Sequence, residues 1–253
     1  VRDNHVHTGG TSPAGGEGIC IKDGSSFGKV YRNHVHHLPR LGIYVDAWDK
    51  HTHDIEVFAN TVHDTENDGF TLASEMGGLL ERVVLHDNVS YHNRFLGMSM
   101  SQNGTSPTHP MRDVRIVNNT VVGNGIGGWG GGIAVDSLQV EGVVVANNIV
   151  SDNLSFQIVV GASVPAAQVS VHHNLVDGFR GYEGETRGTS CVEGDPRFSS
   201  RAAFDFHLLA GSPAIDAGDA AALPAGVSTD RDGHPRVVGP AVDLGAYERQ
   251  TTP

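Results

Sequence analysis

The chain has 253 residues with a formal net charge of -12, rich in glycine and with only 6% aromatic residues. That acidity, with no basic stripe, argues against nucleic acid or an anionic membrane as partner, and no apolar run reaches the length that spans a bilayer. Two cysteines, Cys20 and Cys191, lie far apart along the chain and predict two separate thiols.

Taken in chain order, one pattern returns every 26 to 31 residues around Asn4, Asn33, Asn60, Asn88, Asn119, Asn148 and Asn174. Three residues before each asparagine stands an apolar side chain: Val1, Val30, Val57, Leu85, Ile116, Val145, Val171. Two residues after it stand Val6, Val35, Val62, Ser90, Val121, Val150 and Val176. Apolar residues at odd offsets around one polar residue predict two short strands, each with one buried face, meeting at a tight corner. Asparagine tolerates the left-handed backbone of such a corner, and its amide can bond to the asparagine stacked above. A third strand follows, opened by Gly18, Gly42, Gly69, Gly97 and Gly132. Strand-only repeats of this period predict an all-β parallel β-helix of about seven rungs. Because Val1 already sits at a core position, further residues are expected upstream.

Stacked in register, the glycine-led strands place Cys20, Tyr44, Thr71, Ser99 and Ala134 in one outward column. Lys22, Asp46, Ala73, Ser101 and Asp136 make a second. Loops at 8–17, 64–68 and 123–131 on one flank, and at 47–53 and 74–80 on the other, are expected to raise the sides of a trough suited to an extended polymer.

The asparagine corner, the valine strands and the glycine-led third strand resemble the right-handed parallel β-helices of the pectate-lyase-like superfamily, over residues 1 to about 190. The resemblance implies a polysaccharide groove on the glycine-led sheet. Residues 195–198, 206–218 and 242–248 are similar to the C-terminal segment of many secreted bacterial β-helix proteins, where it closes the coil. Two units follow: a β-helix at 1–190 and a C-terminal capping segment at 191–253. The resemblance also implies a secreted or cell-surface protein.

Polar residues concentrate on rungs one to three. Asp46 with Asp68 or Glu75 offers paired carboxylates for hydrolysis. Lys22 or Tyr44 offers a base for β-elimination, with calcium held by Asp46, Asp49 or Asp68 as a possible cofactor. These five, Asp46, Asp68, Glu75, Lys22 and Tyr44, are the catalytic candidates. Trp48, Asp49, Lys50, His36, His63, Thr71 and Trp129 are candidates for contact with a polysaccharide or oligosaccharide, the tryptophans by stacking on sugar rings. His7, His36 and His63 share one offset, continued by Tyr91 with His92, and an outward stacking ladder is favoured there over a metal site. Residues 230–233 read as a turn rather than a calcium loop. A non-catalytic carbohydrate-binding module and an adhesion spacer stand as alternatives to the enzyme. Oligomeric state is open.

Overall fold

The computed structural model of the chain describes residues 1–10, 15–102 and 104–250, so part of the loop expected at 8–17 lies outside the described residues. Strands supply the regular structure, with three short 3-10 turns. Among the described residues no helix is long and apolar enough to cross a membrane.

Three parallel walls wind about one apolar core. The strands before the corner asparagine include Ser26–Tyr31, Thr52–Phe58, Leu80–His86, Arg115–Val117, Val143–Ala146 and Val169–His172. The strands after it run from His5–His7 through His34–Leu38, Thr61–Thr65, Val89–Tyr91, Thr120–Val122, Ile149–Ser151 and Leu175–Asp177 to Val192–Glu193. The glycine-led wall is Ile19–Lys22, Ile43–Asp46, Phe70–Ala73, Met98–Ser101, Ile133–Val135 and Ile158–Val160. This wall sets the turn count at about six among the described residues, one fewer than the seven asparagines suggest. Its last strand follows Gln157, where the others follow glycine, which is why it escaped the sequence pattern.

Register is as the repeat predicts. Val30, Val57, Leu85, Ile116, Val145 and Val171 form one interior column, and Lys22, Asp46 and Ala73 are direct neighbours on one wall. Ser90, the exception among the valines, gives its hydroxyl to the Gly97 carbonyl and accepts from Asn93, so its buried oxygen is satisfied.

The corner asparagines bond in one continuous ladder. Each side-chain amide donates to the next Oδ1 at 2.8 to 3.0 Å, from Asn4 to Asn174. The ladder ends on Cys191, whose sulfur accepts from the Asn174 backbone at 3.2 Å. The left-handed backbone, however, belongs to the residue before each ladder position: Asp3, Arg32, Ala59, Asp87, Asn118, Asn147, His173 and Ser190. The asparagines are therefore selected for their hydrogen bonds. A second ladder at the next corner links Thr65, Asn93, Asn124, Asn153 and Gln157. At this same corner, where the chain enters the glycine-led wall, a Cβ on Gly42 would overlap Val62 and lie 2.5 Å from the Gly69 carbonyl oxygen, so only glycine lets successive turns approach.

Residues after 191 run along the flank of the coil. Phe198, Phe206, Leu208, Leu244 and Ala246 bury Val89, Tyr91, Val122 and Ile149 on the outer face of the second wall. The 230–233 segment is a turn, with Gly233 N donating to the Asp230 carbonyl at 3.0 Å, and Arg231 reaches from it to the Asn60 carbonyl at 2.8 Å. Cys20 and Cys191 are both free thiols.

Candidate functional site

Parallel register brings the sequence candidates to the glycine-led wall but divides them between its two edges. Asp46 pairs with Ala73 at the end of the strand, while the Asp68 carboxyl reaches Thr71 Oγ1 at 3.4 Å and Ser99 Oγ at 2.8 Å, so the two carboxyls share no hydrogen-bond partner.

At the strand-end edge, Asp46 is fully buried. Its Oδ1 accepts from the backbone of Trp48 at 2.8 Å and of Glu75 at 3.2 Å, and Lys22 Nζ lies 3.4 Å from its other oxygen. The same ammonium faces the rings of Tyr44, 4.6 Å away, and Trp48, 4.9 Å away. One carboxylate thus fixes both loops of that flank. Burial first, then the neighbouring Glu75 and Asp46 carboxylates, pushes the Tyr44 hydroxyl far up, so this residue stays protonated and does not supply the base expected of it. Lys50 turns away to Asp23 at 2.8 Å, and Asp49 is exposed.

At the other edge lies a cavity of about 560 Å³ over the later turns of the wall. Its floor includes Ser99, Ala134 and Val159 of the middle column; Ser99 and Ala134, which the sequence placed facing solvent, are in fact covered. Thr71 is 4% exposed, bonded to Asp68 and Ser99, and lies outside the cavity lining. Asp68 accepts from Ser99 Oγ at 2.8 Å, the Leu96 backbone at 3.0 Å and Thr71 Oγ1 at 3.4 Å. Burial nevertheless pushes its carboxyl up, against those hydrogen bonds.

Asp136 enters the cavity from the opposite edge, and partial burial pushes it up too. Gly161 leaves it room, since a Cβ there would come within 2.5 Å of Asp136 Oδ1. Trp129, half exposed, shares the rim with Phe156 and Tyr182, their ring centroids 6.3 and 5.1 Å apart in succession. Trp129 is thus where the sequence put it, beside a groove. Phe156, Tyr182 and Glu183 were missed. Asp136 stands in the second outward column, on a rung beyond the three where polar residues concentrate.

The histidine column is present on the second wall. His7, His36 and His63 stack in register with Tyr91, the planes 4° to 8° apart. His36 and His63 belong to this outer face and not to the cavity lining.

Three comparisons bear on this architecture. A family model described as the right handed beta helix region matches residues 1–137. The "Uncharacterized protein YwoF" of Bacillus subtilis (strain 168) is 25% identical over 196 residues, 68% of this chain and 40% of that protein, so the chain spans about 40% of the length of that relative. Among solved structures, the crystal structure of pectate lyase Pel9A is similar with a TM-score of 0.44 and 16% identity, over 92% of this chain and 73% of that one.

Proposed function

This chain belongs to the right-handed β-helix family, and on that premise we propose that it binds a polysaccharide or oligosaccharide of low charge in the cavity over the glycine-led wall. The observation that carries the reading is one cavity in which the aromatic rings of Trp129, Phe156 and Tyr182 face the carboxyls of Asp68 and Asp136. Sugar rings offer C–H faces to aromatic side chains and hydroxyl donors to carboxylates. The lining residues include acids but no lysine or arginine, and the chain carries a net charge of -12. A polyuronate would meet repulsion there unless calcium intervened. The same reading sets the protein outside the cell or on its surface, which fractionation of a producing culture checks.

Hydrolysis is the second reading, favoured by the upward shift of both cavity carboxyls, since a carboxyl that holds its proton can donate it to a leaving glycosidic oxygen. Asp136 is the donor in this reading. Asp68, already committed to three donors, steadies the floor. Purified protein is tested against neutral glycans, pectin, alginate and glycosaminoglycans, with and without chelator. Retention of a neutral glycan without turnover supports binding, and new reducing ends abolished by Asp136→Asn support hydrolysis. Unsaturated uronate products, or no retention of any glycan, would overturn the proposal.

A further inference from the structure

On the outer face of the second wall, the first three turns carry a patch of imidazoles that the cavity does not use. Strand alternation puts His5 and His7 on one face, and register sets them over His34 and His36. Two columns therefore run side by side: His5 stacks on His34 with centroids 5.0 Å apart, and His7 on His36 at 5.2 Å. Across the columns His5, His34 and His36 form a nearly equilateral triangle, with centroids 4.7 to 5.0 Å apart. Their edges turn nitrogen towards nitrogen. Nε2 of His5 and of His36 lie 2.6 Å apart, and one ring nitrogen from each of the three lies within 4.8 Å of the others.

A neutral imidazole keeps one nitrogen lone pair free for a metal. Converging neutral imidazoles suit zinc, nickel or copper; tetrahedral zinc–nitrogen bonds of ~2.0–2.1 Å set the nitrogens about 3.4 Å apart, so the 2.6 Å pair opens and any nitrogens spaced towards 4.8 Å close in around the ion.

We propose that His5, His34 and His36 bind one divalent transition-metal ion of the zinc class, leaving a coordination position open to solvent. The ion links the first turn, through His5, to the second, through His34 and His36. A neighbouring compact group, His37, His63 and Asp64, adjoins this one, with His63 Nε2 2.8 Å from His34 Nε2, His37 Nδ1 2.6 Å from His36 Nδ1 and His63 Nδ1 bonded to Asp64 Oδ2 at 2.6 Å, so Asp64→Asn separates the two sites.

The experiment is calorimetric titration of chelator-stripped protein with zinc sulfate, with cobalt(II) absorption as a reporter of coordination geometry. One ion per chain is expected. Affinity should fall by about a hundredfold in His5→Ala and in His36→Ala and stay unchanged in Asp64→Asn. Amide exchange in the first two turns should slow with zinc. His5 and His34 are exposed, and far-ultraviolet circular dichroism verifies that the variants keep the coil. No zinc uptake by the native chain, uptake that survives the His5→Ala/His36→Ala double substitution, or uptake that requires Asp64 would overturn the proposal.

Discussion

Replacing Asn119 by alanine breaks the corner ladder in the middle of the coil. Asn119 is fully buried. Its amide donates to Asn148 Oδ1 at 3.0 Å, the Leu85 carbonyl at 2.9 Å and the Val117 carbonyl at 3.0 Å, while its Oδ1 accepts from the backbone and the side chain of Asn88, each at 3.0 Å. Truncation takes the acceptor from the Asn88 backbone N–H, and a buried unsatisfied donor costs about 1–3 kcal/mol. The Asn88 amide keeps the Val57 carbonyl. Adding about 1 kcal/mol for each of two lost amide bonds gives a total of about 4 kcal/mol. Asn4, at the exposed start of the ladder, donates to Asn33, and Asn4→Ala should cost about 1 kcal/mol or less. Urea denaturation followed by circular dichroism compares the two midpoints, with an unchanged slope licensing the comparison. If Asn119→Ala shifts the midpoint no further than Asn4→Ala, the ladder is not what holds the corner.

Three further outcomes are expected. Trp129→Ala should weaken retention of a neutral oligosaccharide by about fivefold, the loss of roughly 1 kcal/mol of ring stacking, as read by affinity electrophoresis. Cys191→Asn replaces a weak sulfur acceptor with an amide and should raise the urea midpoint by about 1 kcal/mol equivalent. Stability should also depend on pH through His86, which lies 2.7 Å from Asp87 Oδ2 and 3.0 Å from Glu56 Oε1. Burial pulls its pKa down, but these carboxylates outweigh that and leave it raised, so its contribution is full below about 6.5 and lost as pH rises through the raised value. The hydrogen bond from His86 brings Glu56 down to about 2, so its contribution is full above 4.5 and lost as pH falls towards 2. The urea midpoint should therefore peak between those limits, and His86→Gln should flatten the alkaline side.

How much of this was legible depended on whether one residue type repeats. The asparagine corner and the valine columns were readable because each turn solves the same packing problem with the same side chain. The second ladder was not, because it begins on Thr65 and ends on Gln157, with asparagine in only three of its positions. The left-handed residues escaped notice because they differ in type from turn to turn, from Arg32 to Ala59 to His173, the backbone being set by the corner and not by their side chains. The cavity was least legible. It forms where loops of unequal length fold Phe156 and Tyr182 over the wall, and no periodic pattern encodes loop packing. Register puts Asp46 on the wall and the loop reading puts Asp68 beside it, but their partners, the backbone N–H groups of Trp48, Glu75 and Leu96, carry no residue-type signal.

Successive ladder bonds join residues 29, 27, 28, 31, 29 and 26 positions apart, yet each step advances the coil by one strand spacing. The pitch is thus indifferent to how much chain is spent between steps. Segments inserted at, or deleted from, the cavity rim leave the scaffold's frame undisturbed, so specificity can diversify by exchange of rim segments while the prism beneath stays the same.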